Sequence, residues 1–182
     1  MTLQKNYFNI FFPILLFITL NSFSQETGTQ DFSKETLLNA ARDIIKDAGV
    51  CAFITLDERG LPSTRVMDPF LPEDDFTIWL GTNPKSRKVK QIKSNSKVTL
   101  YYLDKNSSGY AVIQGSATLV NDQASKDKWW KTEWDAFYPN NTDAFQLIKI
   151  SPERLEVISY THNIIGDPTT WEVPVVIFNS NK

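Results

Sequence analysis

Residues 31–48, "DFSKETLLNAARDIIKDA", set Leu37, Leu38, Ala41, Ile44, Ile45 and Ala48 three and four positions apart, the spacing that gathers side chains on one face of a helix. Ser33 is placed to cap that helix and Gly49 to end it. Beyond Gly49 the period falls to two. "VCAFITLDERGLPSTRVMDPF" predicts a strand, a turn at residues 57–60 and a second strand. "DDFTIWLGT" predicts a third that runs straight into a helix, and "SKVTLYYLD" and "GYAVIQGSATLV" predict a further pair across the loop "KNSSG". Gly115 interrupts the latter, as expected of a bulge or a tight barrel corner. "DQASKDKWWKTEWDAFYPN" predicts a helix with Trp130 and Trp134 on one side, and "FQLIKISPERLEVISY" predicts two strand segments around Pro152. About six short antiparallel strands, a preceding helix and two interposed helices predict a mainly β domain, a small closed barrel with peripheral helices. Hairpins too short for crossover helices, and helices that no glycine-rich dinucleotide loop opens, disfavour a parallel sheet.

The first 24 residues stand outside this pattern. Lys5 precedes the apolar run "FNIFFPILLFITL" (residues 8–20), which is short for a membrane span, and "SFSQ" offers Ser22 and Ser24 at the small positions before a cut. This predicts a Sec-type signal peptide over residues 1–24, cleaved between Ser24 and Gln25, and hence an exported protein, periplasmic or secreted; an uncleaved N-terminal anchor is the alternative. Residues 25–34 then form a linker, residues 35–160 the folded domain and residues 161–182 a C-terminal tail. Cleavage leaves 158 of 182 residues, one domain's worth. It also changes the formal charge from −2 to −3, because Lys5 is the only charged residue removed. Such a near-balanced chain is not a general nucleic-acid binder.

Cys51 is the only cysteine and His162 the only histidine. An intramolecular disulfide, a cysteine metal cluster and a multi-histidine metal site are thereby excluded. Cys51 lies in the apolar run "VCAFITL", where a buried, inert thiol is expected.

The stretch that carries chemistry is "GTNPKSRKVKQI", residues 81–92. Asn83 followed by Pro84 reads as a cap and a first turn, which predicts a helix from about Pro84. Lys85, Arg87 and Lys88 then fall where the helix dipole is already positive, and each cation there costs about 0.3–1 kcal/mol. Backbone amides, the hydroxyls of Thr82 and Ser86, the Arg87 guanidinium and the Lys88 ammonium together suit one phosphate. A solvated basic face is the plainer reading, and Lys90 and Lys93 belong to it. Arg65 strengthens the phosphate reading. In "STRVMDPF" alternation puts Arg65 and Met67 on one face and Val66 on the other, and a cation there is either edge-exposed or a second contact for the same anion. An organic phosphate held there would lay its body across strands rich in Trp79, Tyr101, Tyr102 and Tyr110.

"TRVM", "IWLGTNPKSRKVKQIKSNSKVTLYY" and "GYAVIQGSATLV" resemble the FMN-binding split barrels related to pyridoxamine 5'-phosphate oxidase, and most of all their general-stress-protein branch. The resemblance covers roughly residues 35–160, and T-N-x-x-S-R-K after a strand is its most specific part. It implies a six-stranded antiparallel split β-barrel with FMN as cofactor. Residues matching Arg65, Val66 and Met67 touch the isoalloxazine and phosphate in that family, those matching Gly81 and Thr82 line the ring, and those matching Arg87 and Lys88 grip the phosphate. Ser86 belongs to the same motif. The resemblance also implies a homodimer with flavin at the interface.

The departures narrow the function. Tyr110 stands where the oxidase has a flavin-contacting glutamine, and the oxidase's C-terminal tryptophan and R-L-x-x-R pattern have no counterpart in the tail "THNIIGDPTTWEVPVVIF". Vitamin B6 oxidation is therefore not supported. An exported FMN-binding redox protein is the leading expectation, with hydride or electron transfer on the flavin and a small-molecule substrate. A non-catalytic module carrying flavin, haem or a deazaflavin is the alternative, and a cofactor-free structural dimer is a third. His162 is read as an ordinary loop histidine without an identifiable carboxylate partner, and Trp129, Trp130 and Trp134 as a core-facing stripe. Trp171 is read as an anchor of the tail on the barrel or on a partner subunit.

Overall fold

A computed structural model describes residues 31–136, 138 and 145–179. The predicted signal peptide lies outside the described residues, as do residues 25–30 of the linker. Helix α1 (Lys34–Ala48) begins where Ser33 accepts from the Thr36 amide, and it ends at Gly49, whose φ of 70° favours glycine. It buries Leu37, Ala40, Ala41, Ile44 and Ile45. The three large side chains each contribute roughly 1.5–3 kcal/mol of transfer free energy. Strands β1 (Cys51–Leu56) and β2 (Pro62–Met67) form the predicted hairpin, its turn closed by Asp57 and by Gly60 at φ 78°.

Strand β3 (Ile78–Thr82) leads into helix α2 (Arg87–Ser94), and β4 (Lys97–Leu103) pairs with β5 (Gly109–Val120). After the short helix α3 (Gln123–Lys128), β6 (Gln146–Ser159) runs antiparallel to β5, and β7 (Val175–Ile177) returns along β6. The strand order is β2-β1-β4-β5-β6-β3, with β7 beside β6. The two ends of that path, β2 and β3, are not paired with each other as strands. The chain leaving β2 nevertheless crosses to β3, where the Phe70 amide donates to the Trp79 carbonyl at 2.9 Å. The sheet thus curls into a barrel with a split between β2 and β3.

The interior of this curl is one apolar cluster that includes Phe53, Ile78, Leu80, Leu100, Ile113, Ile148, Ile150 and Leu155, and α1 and Ile92 of α2 join it. Cys51 is buried in it, its thiol pushed up to about 12 chiefly by desolvation, which makes it the inert thiol expected. A second cluster, built on Trp79, Phe145 and Leu147, lies on the other face of β3 and gathers Phe70, Trp129, Trp130 and Trp134.

Three expectations are corrected. The strand number rises from six to seven, because tail residues Val175–Ile177 add an edge to β6. The two segments around Pro152 are one strand. Pro152 faces Gly115 at the register shift, so the missing amide falls at a bulge, and a Cβ on Gly115 would collide with the Ser151 carbonyl. The tryptophan-bearing helix stops at Lys128 and gives way to a 3-10 turn at Thr132–Ala136. Trp129 there stacks on Trp79 at 5.2 Å, a tertiary contact that outweighs the helical period.

Candidate functional site: a cationic corner at the split

Helix α2 starts at Arg87, a turn later than expected. The Asn83 side chain accepts from the Lys85 amide and the Asn83 carbonyl from the Ser86 amide, so Asn83–Ser86 closes a separate turn. Lys85 therefore lies ahead of the helix. Arg87 and Lys88 are its first two residues, with Ser86 as the cap. Ser86 makes no side-chain capping bond, which leaves the leading amides to another acceptor. Its hydroxyl lies 3.4 Å from that of Thr82, and Lys88 Nζ donates to Thr82 Oγ1 at 2.9 Å.

Arg65 reaches the same corner from β2. Register pairs it with Phe53, on the interior side of the hairpin with Met67, whereas Val66 points outward and is 72% exposed. The guanidinium donates to the Phe53 carbonyl at 3.1 Å, to Thr55 Oγ1 at 2.7 Å and to Gln91 Oε1 at 3.1 Å. Gln91 is buried and also accepts from Thr55 at 2.6 Å while donating to Ser63 at 3.0 Å. These neutral oxygens orient Arg65 without neutralising it.

The charges are unbalanced. Burial, and then the proximity of Arg87, holds the Arg65 guanidinium below its usual range; burial, and then Arg65 and Arg87, does the same to the Lys88 ammonium. Among the described residues none of the three reaches a carboxylate, the ion pairs all lying elsewhere. Lys90, by contrast, pairs with Glu58 at 2.7 Å, as a residue of a solvated face does. Three neighbouring cations at a helix N-terminus, none of them ion-paired among the described residues, are groups that could hold an anion such as a phosphate.

Gly81 borders the split from β3. The space beside it is filled by the Trp134 ring, which a Cβ would strike. The aromatic platform expected under a ligand is not one surface. Tyr102 is in the barrel interior, Trp79 belongs to the second cluster, and Tyr101 stacks with Tyr110 at 5.8 Å. Trp171, expected as an anchor on the barrel or on a partner subunit, is 84% exposed and lines a groove with Tyr110 and Ile158.

Gln91, Thr55 and Ser63 were not legible as site residues. The only signal for Gln91 was an amide between Val89 and Ile92 on a helix face that had to be buried. His162 does have a carboxylate partner, contrary to expectation: Nε2 lies 3.0 Å from Asp43 Oδ2, and Nδ1 lies 2.8 Å from Ser159 Oγ. This serine, histidine and aspartate share the members of a hydrolytic triad but not its function. Ser159 is 1% exposed, and its amide and that of Tyr160 are already donated to Ile164 and Ser108, so the serine is shielded and those two amides cannot serve an oxyanion. The three residues tie α1 to the end of β6.

Residues 38–165 match the model of the pyridoxamine 5'-phosphate oxidase like family. The chain belongs to that family, and its fold is the antiparallel split barrel. General stress protein 26 of Bacillus subtilis (strain 168) is 24% identical over 134 residues, covering 71% of this chain and 90% of that one. Among solved structures, a protein related to general stress protein 26 from Clostridium acetobutylicum superimposes with a TM-score of 0.65 at 19% identity, covering 80% of this chain and 96% of the other. A pyridoxamine 5'-phosphate oxidase-related, FMN-binding protein from Nostoc punctiforme gives 0.58 at 15% identity, covering 80% and 94%. A haem-binding protein from Mycobacterium smegmatis gives 0.59 at 12%, covering 81% and 59%.

Proposed function

We propose that this chain is an exported FMN-binding redox protein whose flavin phosphate is held by Arg65, Arg87, Lys88, Thr82, Ser86 and the leading amides of α2. The observation that carries this reading is the gathering of three cations, none of them ion-paired among the described residues, at one helix N-terminus. The free edges of β2 at Arg65, Val66 and Met67, and of β3 at Gly81, face the split and supply backbone donors and acceptors for the rest of the ligand. Bound FMN would supply hydride or electron transfer, while the protein positions and tunes it. The residues fit that group, since a dianionic phosphate relieves the mutual repulsion that they otherwise sustain.

The working form in this reading is a homodimer. On the outer sheet face Val66, Ala52, Tyr101 and Val112 stand in register across four strands, next to Ile54 and Tyr110. Helix α1 turns its apolar residues to the interior instead, as do Val89 and Ile92 of α2. Light scattering should give twice the chain mass, and Tyr101→Asp should return it to the single-chain value. Export is tested by the N-terminal mass of the mature protein, which should begin at Gln25.

Residues 25–182, purified and titrated with FMN, should show flavin absorbance near 450 nm, a value characteristic of the flavin and not of this chain. Arg87→Ala with Lys88→Ala should lose it with the fold intact. Tight FMN binding by that double variant defeats the site. A haem module is the second reading, motivated by the Mycobacterium smegmatis likeness. A Soret band on adding haem, with no uptake of FMN, would favour it. The only histidine, however, is engaged by Asp43 and Ser159 away from the split. Turnover is read by anaerobic reduction of the bound flavin followed by reoxidation with candidate acceptors.

A further inference from the structure

We infer that Trp134 is a wall of the ligand site, the side chain that selects a planar aromatic body on the phosphate held at the cationic corner. This rests on the proposed phosphate site. The split is short. From Thr82, which holds Lys88, to Trp79, whose carbonyl takes the Phe70 amide and closes the split, is three residues of strand, about 10 Å. That length accommodates a phosphate and a short chain. A larger body must leave the split to one side.

The inner side is closed, because Phe53, Ile78 and Leu80 are fully buried in the barrel core. On the other side of β3 stands Trp134. Its six-membered ring lies against Gly81, one residue in from the Thr82 end, where any side chain on residue 81 would displace it. It makes an edge contact with Phe70 at 5.7 Å, so it touches both the strand of one rim and the chain that crosses from the other. Lys131 reinforces the position: its ammonium lies 5.9 Å from the Trp134 ring and 4.9 Å from that of Phe70, and it is tied to Asp68 at 2.7 Å. Four residues after Trp130, and beyond the end of α3 at Lys128, the 3-10 turn Thr132–Ala136 presents this one indole to Gly81. A body that leaves the split past Gly81 meets that indole, and aromatic faces favour a planar aromatic group over an aliphatic one.

The test titrates wild type, Trp134→Leu and Trp130→Phe with FMN, riboflavin and inorganic phosphate, reading flavin fluorescence, near-ultraviolet circular dichroism and affinity. Wild type should quench bound FMN. Trp134→Leu, with its thermal midpoint recorded to confirm folding, should restore much of the fluorescence and weaken FMN about tenfold, while inorganic phosphate competes as before. Trp130→Phe alters the same aromatic cluster but not the residue on Gly81, and should leave the flavin signals unchanged. Gly81→Ala, which pushes the indole away, should reproduce the Trp134→Leu signals. FMN quenching and affinity unchanged in both Trp134→Leu and Gly81→Ala overturn the role of Trp134 alone. A wild type that takes up no FMN overturns the phosphate-site reading, and this inference with it.

Discussion

Two helices meet the barrel through polar side chains, and they do so in opposite ways. At α1, Asp43 faces His162 and His162 faces Ser159, so the helix, the turn after β6 and the strand end are joined by groups that satisfy one another. At α2, Arg65, Arg87 and Lys88 repel one another and only neutral oxygens answer them. The first arrangement is complete within the chain. The second leaves its charges unbalanced among the described residues. A partly buried cation cluster is costly to keep, and that cost is what the proposed phosphate would offset, while the balanced contact needs no ligand.

Removing the cations sharpens this contrast most. Arg87→Ala with Lys88→Ala deletes two charge-assisted contacts to phosphate, together about 3–6 kcal/mol, so FMN affinity should fall at least a hundredfold by titration. The same change should leave the ligand-free protein equally or more heat-stable, since Arg65 loses a repulsive neighbour. Opposite signs for binding and stability are what a ligand site predicts. A large loss of ligand-free stability would instead make the cluster structural.

Gln91 is where architecture and binding overlap. Gln91→Leu keeps the bulk but strands the Thr55 hydroxyl and one arm of Arg65, at about 1–3 kcal/mol for each stranded group. For a domain of this length that corresponds to about 2–4 °C in the thermal midpoint per kcal/mol. FMN binding should weaken as well, because Arg65 loses its orientation. At α1, His162→Ala should cost only about 1–2 kcal/mol, the penalty of the unpartnered Ser159 hydroxyl. It should leave FMN affinity untouched, and an altered flavin affinity would break the division between the two corners.

What was legible in the sequence follows from how local each cause is. The cap at Ser33, the stop at Gly49 and the turn at Asp57–Gly60 depend on neighbours within four residues, and all are where spacing put them. Gly115 was marked as a bulge or a tight barrel corner, because a glycine inside a strand has no side chain to pack, and it stands at the bulge. The one-turn displacement of α2 was also local, but Asn83 had two outlets: its side chain could cap a helix or close a turn, and pattern alone does not choose. Arg65, Arg87 and Lys88 were visible as charges in the wrong places. Gln91, the Trp134 contact with Gly81 and the Asp43–His162 pair were not, because each joins residues from separate elements and depends on register and packing that no periodicity encodes.

The smallest effect, and the one that separates the two corners by titration alone, is in pH. A phosphate monoester gains its second charge near pH 6, so FMN binding should weaken below that value as the phosphate takes up a proton. It should weaken again on the alkaline side, because burial and the neighbouring arginines hold Lys88 below its usual 10.5 and it discharges early. Ligand-free stability should move the other way. The ammonium is less favourable in the folded chain than in the unfolded one, so stability is lowest while both forms are protonated. It rises as pH passes upward through the folded value of Lys88, and the gain is complete above 10.5. Isothermal titration with FMN and thermal unfolding without it, run over pH 7–10.5 on wild type and Lys88→Met, should therefore differ between the two chains by slopes of opposite sign. The comparison cancels the buried Cys51 thiol, which lowers stability above about pH 9 in both. In Lys88→Met the Lys88 part of both slopes should vanish, whereas His162→Ala should leave both slopes as they are in wild type.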